Sequence, residues 1–304
     1  MIGRFAPTPS GRMHLGNLYC ALMAWLSARS QGGSFIVRIE DLDAGRCRFE
    51  PHIEKVFDDL RWLGIDWDAG EDPDTFQSRR SAIYQEHFEK LKQVAEIYPC
   101  YCSRAELHAA SAPHLDDGQP LYDGRCYRAW QDGSPAPANR HPAWRIHLPE
   151  EEVIFTDLVM GEYRENLATQ CGDFILRRSD GVYAYQLAVV VDDALSGVTE
   201  VVRGADLLSS TPRQLHLHRL LGFPEPTYAH LPLLVGADGH RLAKRLGDLD
   251  AGMLREMTTA PALIGKLAAS LTLIDRPEPL TARELVQHFR WNAIPKTDVR
   301  SVVG

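Results

Sequence analysis

Apolar residues near the start of this chain follow a helical spacing. Leu18, Leu22 and Leu26 recur every fourth position, which predicts a helix near 16–30 with one buried face. Short apolar runs at 2–5 and 35–39 read as strands on either side of it, and a further helix is expected near 51–63. That alternation predicts an α/β fold, a parallel sheet with crossover helices. The stretch 100–150 breaks the pattern with Pro, Gly, Asp and Cys, and reads as an insertion. From Trp144 short strands return, among them 173–177 and 183–187, with Ser179-Asp180-Gly181 as the turn between the last two. Thr211-Pro212-Arg213-Gln214 opens a helix, with Thr211 as cap, Pro212 in the first turn, Gln214 completing a capping box and Gly222 as the stop. The last ~50 residues look helical, with a second box formed by Thr281 and Glu284 ahead of Leu285 and Phe289.

Composition changes this picture little. The 304 residues are 44% hydrophobic and 24% charged, as in an ordinary globular protein. No apolar run approaches ~20 residues and no secretion signal stands at the N-terminus, so a cytoplasmic protein without a membrane partner is expected. A net charge of −8 does not exclude nucleic acid, because RNA is bound through local basic strips. Arg79-Arg80, Arg177-Arg178 and Lys244-Arg245 are the candidate strips.

The segment from Arg4 to Asn17 carries the first candidate chemistry. A strand end, a stiff proline turn and a glycine lead into a helix N-terminus, whose free N–H groups and dipole suit a phosphate. Gly11 and Gly16 allow close approach to the backbone, and His14 can donate to a phosphate oxygen. A second candidate is a metal knuckle. Cys100 and Cys102 flank Tyr101, and Cys126 follows about twenty residues on, a spacing suited to zinc. Three thiols leave a fourth place, for which His108, His114 and Tyr122 are the local choices. Imidazole is the commoner ligand. Cys20, Cys47 and Cys171 lie apart and read as core thiols.

Taken together, Arg4–Asn17 and the downstream Phe35-Ile36-Val37-Arg38-Ile39-Glu40-Asp41-Leu42-Asp43 resemble the start of a class I glutamyl-tRNA synthetase catalytic domain. The pattern is similar to that of the truncated glutamyl-Q-tRNA(Asp) synthetases. The His-Ile-Gly-His signature of the class falls on His14-Leu15-Gly16-Asn17, with Asn17 in place of the last histidine. The resemblance implies a Rossmann-type catalytic domain with a zinc-binding insertion and a short helical C-terminal part. Its parts would be a first half at 1–98, the insertion at 99–150, a second half at 151–250 and helices at 251–304. With a tail of this length, no anticodon-binding domain is expected.

Glutamate brings an ammonium group and two carboxylates, so its pocket needs a carboxylate and at least one guanidinium. Arg4 and Glu40 are placed at the C-terminal ends of the first two strands, where open α/β sheets bind ligands. Glu40 suits the ammonium, and Arg4, Phe5, Ala6, Pro7 and Thr8 bring a guanidinium, backbone donors and a hydroxyl. The resemblance adds Tyr185 and Arg203 to the glutamate ligands, and assigns ATP, with Mg2+, to His14, Gly16, Asn17 and Lys244. His240-Arg241-Leu242-Ala243-Lys244-Arg245 matches the Lys-Met-Ser-Lys-Ser loop, with Arg241 and Ala243 as departures. His14 and Lys244 are then the catalytic pair. The same likeness gives Cys100, Cys102, Tyr122 and Cys126 as ligands of one structural zinc. The expected reaction is ATP-dependent glutamate activation and transfer to queuosine in tRNA(Asp) by a monomer. The alternatives are a minimal synthetase charging tRNA(Glu) and a non-catalytic paralogue binding glutamate or tRNA.

Overall fold

The structure, a computed structural model, describes residues 1–42, 50–109, 121–236 and 249–300. β1 (Ile2–Phe5) runs through the proline turn into α1 (Leu15–Ser30), and β2 (Ser34–Val37) follows. α2 (Glu50–Trp62) and α3 (Ser81–Val94) come next. A mixed region contains β3 (Ile97–Cys100), α4 (Arg104–Ala109), α5 (Arg125–Gln131), β4 (Ala143–Ile146), the hairpin β5 (Glu152–Asp157) and β6 (Gly161–Asn166), and β7 (Phe174–Arg177). The chain then returns through α6 (Tyr185–Leu195), β8 (Glu200–Gly204), α7 (Thr211–Leu221) and β9 (Thr227–Leu231). α8 (Ala251–Met257), α9 (Ala260–Ser270) and α10 (Ala282–Leu285) close it.

β2, β1, β8 and β9 form a parallel sheet in that order, and β3, β4 and β7 an antiparallel one. Both faces of the parallel sheet are covered, as parallel sheets require. Val202, Ala229 and Leu231 pack into one core with α1, α2, α8 and α9. Val201 and Tyr228, on the opposite face, pack into a second core with α3, α6, α7 and the antiparallel sheet. From β1 the strand order runs outward both ways, to β2 on one side and to β8 and β9 on the other. A crevice therefore opens at the C-terminal ends of β1 and β8, the usual ligand position in such sheets.

Several local expectations change. α1 is buried on nearly all sides rather than one, because the sheet, α2 and α10 surround it. β2 ends at Val37. Beyond it the chain stays beside β1, with Arg38 N–H donating to Phe5 O at 2.9 Å and Glu40 N–H to Pro7 O at 3.0 Å. Residues 183–187 are not a strand. Tyr183 makes one isolated bridge to Arg177, and Tyr185 already opens α6. Thr211 does not cap α7, because a 3-10 segment, Ala205–Ser210, runs directly into the helix and leaves Thr211 already helical. Gly222 stops α7 in the left-handed conformation, and the Thr281–Glu284 box forms with both of its hydrogen bonds.

Candidate active site

The crevice is a cavity of about 680 Å³. Arg4, Phe5, Ala6, Pro7, Thr8, Gly16, Asn17, Glu40, Tyr185 and Arg203 all line it, so one cleft gathers every expected glutamate ligand and two of the ATP residues. Ser10, Asp206, Leu207 and Cys20 line it too. Cys20 is thus half-buried at the cleft wall, with burial pushing its thiol up to about 12, whereas Cys171 is a core thiol as expected.

His14 caps α1 by position, without a side-chain bond to the helix, and its buried Nδ1 lacks a protein partner. The backbone around it is tied to the start of α8: Leu15 N–H donates to Leu249 O at 3.3 Å and Ala251 N–H to Met13 O at 2.9 Å. Asn17 N–H turns back to His14 O at 2.9 Å. The first turn of α1 is therefore less open to phosphate than a bare helix end. Lys244 and the rest of 237–248, Asp43, Cys47, His114 and the side chain of His108 lie outside the described residues.

Buried charges set the pocket's electrostatics. Arg4 Nε donates to Asp193 Oδ1 at 3.3 Å and its Nη1 to Val202 O at 3.2 Å. Arg38 lies between Glu40, which accepts from its Nη2 at 3.0 Å, and Asp193, which it also bonds. Burial raises the Glu40 pKa above the ordinary carboxyl value, and Arg38 pulls it the other way. Asp193 is held below the ordinary value despite its burial, because Arg38 and Arg4 face it. Asp192 accepts from Gln77 at 2.9 Å, Arg80 at 2.7 Å and Tyr84 at 2.9 Å, fixing α6 to α3 and to the turn before it.

Arg203, only 6% exposed, is gripped on three sides. Its Nε donates to His230 Nε2 at 3.0 Å, Nη1 to Gln214 Oε1 at 2.8 Å and Nη2 to Thr211 Oγ1 at 2.8 Å. A guanidinium has five N–H groups. Two remain, one on each terminal nitrogen, and that number suits a carboxylate held by two bonds.

Arg38 and Asp193, which bond to Glu40 and Arg4, and His230 and Asp157, in succession behind Arg203, are supports of the cleft that sequence reasoning missed. Signals for them existed. Arg38 and Glu40 share one side of an extended segment, and two adjacent aspartates in the otherwise apolar α6 need partners. The expected basic strips are partly committed: Arg80 to Asp192, Arg178 to Asp180 at 2.5 Å, and Arg177 over the Tyr183 ring.

Away from the cleft, the Sγ atoms of Cys100, Cys102 and Cys126 lie within 4.8 Å of one another. Tyr122 Oη stands 3.7 Å from Cys100 Sγ and 3.9 Å from Cys102 Sγ, and the Cys102 and Cys126 sulfurs are 3.6 Å apart. A tetrahedral zinc with Zn–S of about 2.3 Å sets sulfurs about 3.8 Å apart, so these four donors fit one ion. Burial pushes the Cys102 thiol up to about 12, a cost that a bound cation would reverse.

The fold has counterparts among known proteins. A family model described as tRNA synthetases class I (E and Q), catalytic domain, matches residues 1–293. The glutamyl-Q tRNA(Asp) synthetase of Symbiobacterium thermophilum is 50% identical, over 99% of this chain and 95% of its own length. This chain belongs to the class I (E and Q) tRNA synthetases, in the glutamyl-Q tRNA(Asp) synthetase family. A second relative of that name, from Geobacter sulfurreducens, is 44% identical over 96% of this chain and 91% of its own. Among solved structures, a glutamate tRNA ligase from Elizabethkingia meningosepticum in complex with its amino acid superposes with a TM-score of 0.79 at 25% identity. The match covers 99% of this chain and 66% of that one. No helix among the described residues is long and apolar enough to cross a membrane.

Proposed function

We propose that this chain joins L-glutamate to ATP as glutamyl-adenylate and passes the glutamyl group to queuosine at the wobble position of tRNA(Asp). The observation that carries the reading is the meeting of Arg4, Glu40, Tyr185 and Arg203 in one cleft beside the N-terminus of α1. Glu40 takes the substrate ammonium, Arg203 and Arg4 take carboxylate, and the Tyr185 hydroxyl supplies a further bond. His14, Gly16 and Asn17 face the ATP phosphates, with Mg2+ accompanying them and Lys244 acting from the second signature.

In the first step a glutamate carboxylate oxygen attacks the α-phosphorus and pyrophosphate leaves. Charge grows on the phosphoryl oxygens, and donors fixed in advance lower that barrier. In the second step a hydroxyl of the queuosine cyclopentene ring attacks the mixed anhydride and AMP departs. A base displayed in a loop suits recognition by stacking and phosphate contacts.

Cys100, Cys102, Cys126 and Tyr122 hold a structural zinc in this reading, within an insertion at 99–150 between catalytic halves at 1–98 and 151–250. The C-terminal part from 251 onward completes a cytoplasmic monomer. The test is transfer of labelled glutamate to queuosine-containing tRNA(Asp), queuosine-free tRNA(Asp) and tRNA(Glu). Label on the first alone supports the proposal. Label on tRNA(Glu) makes the chain a compact tRNA(Glu)-charging enzyme, and label on none makes it a binding paralogue.

A further inference from the structure

Arg203 bonds to His230, and His230 in turn bonds to Asp157, neither of which lines the cleft. Asp157, at the end of β5, is fully committed as an acceptor: it takes the backbone N–H of Val159 at 2.9 Å, of Met160 at 2.8 Å and of His230 at 3.0 Å. It also meets His230 Nδ1 at 2.6 Å. An ionised carboxylate only accepts, so the proton in that contact sits on Nδ1. At the other edge of the ring, Arg203 Nε only donates, so His230 Nε2 faces it with a lone pair. The two neighbours therefore demand the same neutral tautomer. An Nε2-protonated ring or an imidazolium would set N–H against N–H. The Thr211 hydroxyl, 3.2 Å from Nε2, accepts from Arg203 and can turn its own hydrogen toward the ring. Strand pairing supports the arrangement, since β8 and β9 place Arg203 directly opposite His230.

We propose that Asp157 and His230 are positioning residues for substrate recognition. Asp157 locks His230 in its Nδ1–H tautomer, and the bare Nε2 turns the Arg203 guanidinium so that its two uncommitted N–H groups face the glutamate carboxylate. The inference rests on the reading of Arg203 as a glutamate ligand. It makes the affinity of the pocket for glutamate depend on a buried proton position that no substrate atom touches.

The direct test uses the wild-type protein labelled with 15N-histidine at neutral pH, where ring nitrogen shifts distinguish the tautomers. The His230 ring is assigned through its contact with Tyr228, which stacks on it at 5.9 Å. The Nδ1–H form is expected, and an Nε2–H form or an imidazolium overturns the proposal. The kinetic test compares His230→Phe, which keeps ring volume and loses the acceptor, with His230→Gln, whose amide oxygen can still accept. His230→Phe should raise the glutamate KM about tenfold or more, with the ATP KM within about twofold, and His230→Gln should recover most of the loss. An unchanged glutamate KM in His230→Phe overturns the proposal, as does equal damage in both variants or a parallel rise in the ATP KM. If His230→Phe fails to fold, the tautomer measurement decides alone. Normal glutamate binding by Arg203→Ala would instead overturn the pocket assignment itself, so the two failures are distinguishable.

Discussion

Replacing Arg203 by alanine removes one of the two guanidinium groups that line the cleft, and the structure sets the size of the effect. Three of its N–H groups bond to His230, Gln214 and Thr211, leaving two for substrate. Hydrogen bonds to charged groups contribute roughly 1.5–3 kcal/mol each, so two lost bonds cost about 3–6 kcal/mol. At about 1.4 kcal/mol per tenfold change, kcat/KM for glutamate should fall by roughly 10²–10⁴. Folding should survive. His230 Nε2 keeps the Thr211 hydroxyl as a partner, and the Gln214 oxygen is the acceptor left without one, a cost of about 1–3 kcal/mol. Arg203→Lys should recover only part of the activity, since one ammonium cannot replace a planar fork. The assay is glutamate-dependent ATP–pyrophosphate exchange, with circular dichroism to verify folding. A folded Arg203→Ala enzyme with wild-type glutamate kinetics would refute the reasoning.

Glu40→Gln keeps the size of the side chain and removes the charge offered to the substrate ammonium, so the glutamate KM should rise by about one to two orders of magnitude in the exchange assay; an unchanged KM removes Glu40 from the pocket. Acid should weaken the fold through His230, whose pKa burial lowers to about 4. Between the unfolded value near 6.5 and that folded value the unfolded chain binds the extra proton, so stability falls as pH drops through this window, by roughly 3 kcal/mol from this ring. Burial likewise lowers the pKa of His216 and His218, with the same sign. Urea unfolding at pH 7 and at pH 4.5 checks this, and the loss should be smaller in His230→Gln; an equal loss in both proteins assigns the effect elsewhere. Metal analysis should find one zinc per chain, lost in Cys126→Ser together with thermal stability, while glutamate activation in the remaining folded protein changes little. A metal-free wild-type chain of undiminished stability contradicts the zinc assignment.

What could be read from the chain beforehand was local. The strand and helix around the first signature, the stop at Gly222 and the Thr281 box each rest on a few neighbouring residues whose preferences agree with the fold. Tyr183 to Leu187 misled because five residues of alternating character fit a strand, while the helical set of Leu187, Val190 and Val191 extends beyond that window. α5 begins at a left-handed Gly124 with no side-chain cap, so none of the usual start signals marks it. That Arg4, Glu40, Tyr185 and Arg203 belong together was legible through family likeness, because each lies in a compact motif, and the structure brings them to one cleft. Their supports were not legible. Asp157, Asp193 and His230 meet their partners across long stretches of chain, where hydrophobic periodicity carries no information about pairing. Buried charge was the remaining clue, since such groups persist in a core only with partners.

The most direct test asks where the glutamyl group ends on the RNA. Queuosine-containing tRNA(Asp) is incubated with the protein, ATP and labelled glutamate, then digested to nucleosides and separated by chromatography with mass detection. The proposed reaction places the label on the queuosine nucleoside, on its cyclopentene ring. Label on the 3′-terminal adenosine instead would contradict it and make this chain an aminoacylating enzyme of the ordinary kind.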